Sequence, residues 1–413
     1  MPRFGRASAT LAYRFRSPDI AMSLDHPAVA RAVVRQLEAS RIREVANVGM
    51  GRDDVLPFWF GEPDQVTPEF IRDAAKAGLD DGDTFYTHNY GIPPLRAAIA
   101  AYLSALHQPI DASRIAVTSS GVSALMVLSQ LIINPGDRVV AVTPLWPNVA
   151  EIPKILGGDV VRVALQFGQT WELDLQLLLD ALTPGTRAVL LNSPNNPTGW
   201  VMPREQQEIV LAHCRRHGIW IVADDVYERL VYTERADAPQ CAPSFLDIAD
   251  ADDRLISSNS FSKSWLMTGW RLGWLVAPPT LMTDIGKLIE YNTSCAPGFV
   301  QRAGVVAIER GDEIIGSTVA RYRAARDFLY QRLNALPGIT APRPKGAMYL
   351  FFRVDGVDDS LALCKQLVRD AGLGLAPGNA FGPEGEGCVR WCFASSLERL
   401  EDGVQRLERF LLA

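Results

Sequence analysis

The sequence predicts an α/β protein, with a large domain built on a mostly parallel central sheet and a smaller α+β domain beside it. Three observations carry this. Between about residues 110 and 276, short apolar runs alternate with helical stretches, as in a sheet whose strands are joined by helices. The runs are continuous in Val, Ile and Leu rather than alternating, which is how strands covered on both faces read. After about residue 300 the pattern changes to a long helical stretch followed by separated strands and helices.

The predicted strands are 138–142, 160–165, 187–192, 219–223, 255–258 and 272–276, each of ordinary strand length. Between them, 122–131 and 204–216 read as helices. Thr143-Pro144, Asn192-Ser193-Pro194 and Asp224-Asp225 close three of the runs with turn or polar residues. In open parallel sheets the strand ends are where ligands sit. Downstream, 301–336 reads as one long helix, followed by a strand at 347–352, a helix at 360–371, a strand at 388–393 and a last helix at 396–411. An early helix at 27–40 is assigned to the smaller lobe. The resulting division is an N-terminal extension at 1–25, a small-domain part and arm at 26–60, a large domain at 61–300 and a small C-terminal domain at 301–413. The extension carries Arg3, Arg6, Arg14 and Arg16 with no acid through Arg16, a faint transit-peptide pattern that is read as a plain extension or a start placed ahead of Met22.

Composition narrows the function. The 413 residues are 48% hydrophobic and 21% charged with a net charge of -6, which is ordinary for a globular protein and lacks the basic block of a nucleic-acid binder. No apolar run reaches the roughly 20 residues of a membrane span. The six cysteines are scattered and read as reduced thiols, which places the protein in the cytoplasm. No metal is expected. Cys388 and Cys392 lack two further ligands nearby, and in His213-Cys214-Arg215-Arg216-His217 a cysteine stands where a metalloprotease needs its glutamate. Gly49-Met50-Gly51 lacks the third glycine of a dinucleotide loop.

The strongest chemical signal is Ser260-Phe261-Ser262-Lys263 followed by Gly269-Trp270-Arg271-Leu272-Gly273. A lysine that bonds an aldehyde must be partly desolvated so that its amine is neutral. Two hydroxyls just before it and an arginine eight residues on suit a phosphate dianion. Ser119-Ser120-Gly121-Val122-Ser123 opens a helix whose free amides and dipole favour the same anion.

These motifs resemble the class I/II aminotransferases of fold type I, which use pyridoxal 5'-phosphate (PLP). The likeness runs from about Leu24 to the C-terminus and is greatest to the bacterial aspartate, aromatic and alanine branch. It implies that Lys263 carries the cofactor and that Ser260, Ser262 and Arg271 hold its phosphate together with the backbone of Gly121, Val122 and Ser123. Asn195-Asn196-Pro197-Thr198-Gly199 looks like the family's N-P-x-G loop, with Asn196 donating to the ring hydroxyl oxygen. The resemblance puts Asp224 on the pyridine nitrogen, Tyr227 on the ring oxygen, Trp146 against the ring face and Tyr86 on the phosphate of a partner subunit, making a homodimer. Asp225 is expected to be a solvated strand-end acid. Gly61 and Asn196 line the substrate side, and Arg390 grips the substrate α-carboxylate.

The implied reaction moves an amino group from an amino acid to a 2-oxo acid by ping-pong turnover. Branch members that prefer aspartate often carry lysine where this chain has Val122, so neutral or aromatic substrates are expected. Asn292, Thr293 and Ser294, also uncharged, are placed near a partner's pocket. The alternative is a carbon–sulfur β-lyase on the same residues. A DNA-binding regulator on this fold would need a helix-turn-helix module ahead of the family match, for which about two dozen residues are too few.

Overall fold

The computed structural model describes residues 29–232 and 240–412. The extension at 1–25 lies outside them. The N-terminal unit, to Gln36, contributes a five-residue helix, Ala32–Gln36. From Leu37 onward the chain forms one compact unit.

The central sheet has seven strands: β1 (Ile115–Thr118), β2 (Arg138–Thr143), β3 (Asp159–Ala164), β4 (Thr186–Asn192), β5 (Trp220–Asp224), β6 (Leu255–Ser260) and β7 (Gly273–Val276). Their order across the sheet is β1-β7-β6-β5-β4-β2-β3. β7 runs antiparallel to both neighbours, and every other adjacent pair is parallel. The apolar runs follow from burial on two faces. Val140, Val142, Ile221 and Ala223 point into one core, while Val139, Ala141 and Val222 point into the other. Side chains alternate along a strand, so a strand with helices on both sides must be apolar at every position.

A second sheet holds β8 (Ile339–Thr340), β9 (Tyr349–Val354), β10 (Ala376–Pro377) and β11 (Cys388–Cys392) in the antiparallel order β8-β9-β11-β10. The helix Arg41–Gly49 packs on β10 and on the helix Ser360–Gln366, and Leu56–Pro57 pairs in parallel with Leu373–Gly374. The early and late parts of the compact unit are thereby joined.

The six predicted strands of the central sheet are all present, with ends shifted by one or two residues. Three departures from expectation bear on the fold. β1 was not foreseen: it is four residues long, and its burial depends on pairing with β7, far away in sequence. The helix expected at 27–40 is helical only at Ala32–Gln36 among its described residues, because Ser40 begins the next helix, its side chain accepting from the Arg43 amide at 3.3 Å. The long helix expected at 301–336 is two helices, Gly298–Arg310 and Asp312–Asn334, parted at Gly311. There the backbone passes so close to Trp265 that a Cβ would lie 2.6 Å from its Nε1. No helix among the described residues is long and apolar enough to cross a membrane.

Candidate active site

The C-terminal ends of the parallel strands build the floor of the site. Register places Asn192 of β4 beside Asp224 of β5, and Asp224 beside Ser258 of β6. The antiparallel β7 starts at the same edge, with Gly273 opposite both Ser260 and Thr118. Above this edge is a cavity of about 460 Å³, roofed by β9, β11 and the segment 59–62.

Lys263 sits in the turn after β6. Its Nζ donates to the Gly61 carbonyl at 2.5 Å and stands 5.9 Å from the centre of the Tyr227 ring. Burial pulls its pKa down to about 8, with the nearby Cys392 thiol opposing and Arg390 reinforcing the shift. A useful fraction of this amine is therefore neutral near physiological pH, as bond formation to a carbonyl requires.

Asp224 is buried at the mouth of β5. Burial pushes its pKa up to about 7, against a weak 3.4 Å hydrogen bond from the Val226 amide and the field of Lys263. No cation pairs with it among the described residues. A buried acid in this state is matched to a cationic N–H that arrives with a ligand. Asp225 differs from expectation. It is buried rather than solvated, because its amide bonds the Ser258 carbonyl and extends the β5–β6 pairing. Its carboxylate accepts from Ser257 Oγ at 2.7 Å and Ser244 Oγ at 3.3 Å. Burial, then the charge of Glu228, raises it to about 7 as well. The cavity lining includes Asp224 but not Asp225.

One end of the cavity is built for an anion. Ser260 and Ser262 bond each other through their hydroxyls at 2.9 Å, and Arg271 reaches Ser262 Oγ at 3.4 Å and the Thr268 carbonyl at 2.6 Å. Arg271 has no acidic partner among the described residues. Gly121 and Val122, at the start of the helix Gly121–Ile132, line the same wall. Ser123 does not: its amide is already taken by the N-cap Ser120 Oγ at 3.0 Å.

At the other end Arg390 projects from β11 and is almost wholly buried. It donates to Asn196 Oδ1 at 2.9 Å and to the Trp59 carbonyl, and its guanidinium lies over the Tyr349 ring at 4.4 Å and the Phe381 ring at 4.8 Å. Its Nε has no partner, and no carboxylate neutralises it among the described residues. A buried fork without a counter-charge suits a ligand carboxylate. Asn196, held by Arg390 and by its own amide bond to Asn192 Oδ1 at 2.8 Å, keeps its side-chain nitrogen for a ligand.

Of the residues singled out in the sequence, Gly61, Gly121, Val122, Trp146, Asn196, Asp224, Tyr227, Ser260, Ser262, Lys263, Arg271 and Arg390 all line this one cavity. Tyr86 lies outside it and is 90% exposed. Sequence reasoning missed Tyr349 and Arg43. Tyr349 Oη bonds Tyr227 Oη at 2.7 Å, and it can reach there only because residue 61 is glycine: a Cβ would stand 1.9 Å from that oxygen. Arg43 enters from the helix Arg41–Gly49, lies over the Phe60 ring at 5.4 Å, and has no acidic partner among the described residues. Nothing in the local sequence marks either residue, since each is brought in by tertiary packing.

The sequence profile of the family "Aminotransferase class I and II" matches residues 53–407. The chain belongs to this family. It is an aminotransferase, a transferase of class EC 2.6.1, and its family works with PLP. It is 34% identical over 92% of its length, and 94% of the relative's, to a probable N-acetyl-LL-diaminopimelate aminotransferase of Bacillus subtilis. It is 32% identical to aromatic-amino-acid aminotransferase 2 of Thermococcus litoralis, over 92% of this chain and 97% of that one. A solved aspartate aminotransferase of Thermotoga maritima superposes with a TM-score of 0.84 at 32% identity, covering 93% of this chain and all of the other. These relatives do not favour the β-lyase alternative. Their printed substrates differ among themselves, so membership in the family fixes the reaction and leaves the amino acid open.

Proposed function

We propose that this aminotransferase binds PLP through Lys263 and transfers amino groups between neutral or aromatic L-amino acids and 2-oxo acids. The observation that carries the reading is three groups without a counter-charge around one cavity: a half-buried amine, a buried acid and a buried guanidinium. When bound, PLP supplies an aldehyde that joins to amines and a ring that accepts electron density from the substrate Cα. The chain's residues do the rest. Arg390 holds the α-carboxylate by its planar fork, which fixes the direction of the Cα–H bond. Lys263 Nζ, partly neutral because it is held out of water, would accept the substrate's Cα proton. Asp224 keeps a proton on the ring nitrogen, and Asn196 and Tyr227 hydrogen-bond the ring oxygen. Ser260, Ser262, Arg271 and the backbone at Gly121 and Val122 hold the phosphate, and Trp146 covers the ring face.

The substrate wall is apolar where Ile42, Trp59, Phe60, Val122 and Leu125 line it, which supports a neutral or aromatic side chain. Arg43 favours a second reading, a dicarboxylate whose distal group pairs with that free guanidinium. Steady-state rates with phenylalanine, tyrosine, alanine, aspartate and glutamate against 2-oxoglutarate, pyruvate and oxaloacetate decide between them. The reading holds if aromatic or neutral donors lead and Arg43→Ala leaves their kcat/KM within about threefold. It fails if aspartate leads and Arg43→Ala abolishes the preference.

The reading extends to assembly. The exposed Phe85 and Tyr86 adjoin the segment 291–296, where the Thr87 amide meets Cys295 Sγ at 3.3 Å, and Tyr291 there is 90% exposed. Such an aromatic surface supports a homodimer in which Tyr86 reaches a partner's phosphate site. The six unpaired cysteines support a cytoplasmic location. The confinement of one sheet to residues 115–276 and the other to 339–392 supports a large lobe at 61–300, with 37–60 and 301–412 forming the smaller one.

A further inference from the structure

Away from the active-site cavity, three residues distant in sequence converge in the interior. His107 follows the helix Pro93–Leu106, Glu228 follows β5, and Cys241 lies in the segment ahead of Ser244. The His107 and Glu228 side chains are 1% and 3% exposed, and Cys241 is buried. Their donor atoms lie within 4.8 Å of one another. His107 Nε2 stands 3.5 Å from Glu228 Oε2, and neither atom has a hydrogen-bond partner. The two atoms face each other at ion-pair distance, beyond a well-formed hydrogen bond, with the Cys241 thiol beside them, so three buried donors of different chemistry converge on one point.

We propose that His107 Nε2, Glu228 Oε2 and Cys241 Sγ form a binding site for a divalent transition-metal ion, zinc by preference. The donor set is one imidazole, one carboxylate and one thiolate, which suits zinc better than the oxygen-seeking magnesium or calcium. Tetrahedral zinc with bonds of roughly 2.0–2.3 Å spaces its ligand atoms about 3.3–3.8 Å apart, so the His107–Glu228 pair already stands at coordination spacing. Cys241 Sγ, within 4.8 Å of both, supplies the third donor, and a water or other small ligand would take the fourth position. The carboxylate and thiolate together balance the ion's two charges.

The surroundings are those of a metal site as well. His107 Nδ1 bonds Asp247 Oδ1 at 2.7 Å, which orients the ring with Nε2 toward the other two donors. A carboxylate behind a ligating histidine is the usual outer partner at zinc sites. The other Glu228 oxygen accepts from Tyr102 Oη at 2.8 Å, so Oε2 alone remains for the ion. The site would tie the end of the helix Pro93–Leu106 to the turn after Asp224 and to the segment around Asp247. Sequence spacing gives no hint of it, since the ligands come from positions 107, 228 and 241, and this departs from the expectation that the chain holds no metal.

The test uses the cofactor-loaded enzyme. Protein is incubated with zinc, dialysed, and its metal content measured by mass spectrometry. Cobalt(II) substitution gives an optical readout, because a tetrahedral ion shows visible bands to the red of the cofactor. Near one zinc per chain is expected. Cys241→Ser and His107→Gln should each weaken binding by about 100-fold or more, beyond the 10–100-fold of losing an outer partner such as Asp247. Unchanged melting behaviour of Cys241→Ser in metal-free buffer checks that this variant folds. Retention of no zinc by the wild type overturns the proposal and leaves a buried ion-pair cluster. Equal zinc retention by Cys241→Ser and His107→Gln overturns it too, placing the metal elsewhere, for instance on the neighbouring rings of His213 and His217. If either variant fails to fold, the cobalt spectrum of the wild type decides: tetrahedral bands with a thiolate contribution support the site, and an octahedral spectrum refutes it.

Discussion

Replacing Asp224 by Asn should stabilise the cofactor-free protein while crippling the enzyme. An unfolded aspartate titrates near the model value of 3.8, and burial raises the folded group to about 7. Between those values the folded chain holds a proton that the unfolded chain has lost, so stability falls as pH rises through the window. Each pH unit is worth about 1.4 kcal/mol. From pH 5 to pH 8 the cofactor-free wild type should therefore lose about 3 kcal/mol relative to Asp224→Asn, the change ending near the folded pKa. Urea denaturation of both proteins, stripped of cofactor, at several pH values measures this difference directly. In the cofactor-loaded enzyme the sign reverses. On the proposed reading the cofactor's ring cation would pair with the acid, and removing one partner of a buried pair costs about 3–5 kcal/mol, expected to read as at least 100-fold in turnover. Parallel stability–pH profiles for the two cofactor-free proteins would refute the reasoning, because Asp224 would then not be an acid held out of water without a partner.

Arg390→Lys should lower kcat/KM for both amino acid and oxo acid by about 30–150-fold, mostly through KM, since a point charge replaces a planar fork worth about 2–3 kcal/mol. Steady-state kinetics with one substrate varied checks it, and an unchanged KM would contradict the assignment. Gly61→Ala should lower stability by about 1–3 kcal/mol, because the added carbon overlaps Tyr349 Oη. Adding Tyr349→Phe should recover part of that loss in thermal melts, while simple additivity of the two changes would speak against the clash.

Much of this site was legible in the sequence because its chemistry is local. Ser260, Ser262, Lys263 and Arg271 fall within a dozen residues, and Asn196 and Asp224 each follow a run recognisable as a strand. The strands were legible because burial on both faces demands apolar residues at every position. What stayed hidden depends on long-range packing. Tyr349 looks like an ordinary core tyrosine until the absence of a side chain at Gly61 brings its hydroxyl to Tyr227. Arg43 sits in a helix that was not foreseen, since the expected helix ran to Ser40, which instead caps the next one. Asp225 looked solvated beside Asp224, and only the pairing of β5 with β6 explains why one acid lines the cavity and the other binds two serines. Ser123 shows the opposite limit: the helix start was read correctly, yet which amides remain free was decided by the Ser120 side chain.

The most direct measurement is borohydride reduction of the enzyme loaded with PLP, followed by proteolysis and mass mapping. The account predicts one stable adduct per chain, on the peptide containing Lys263, with loss of the cofactor's visible absorbance and of turnover. An adduct on another lysine, or none in protein that still transfers amino groups, would contradict it.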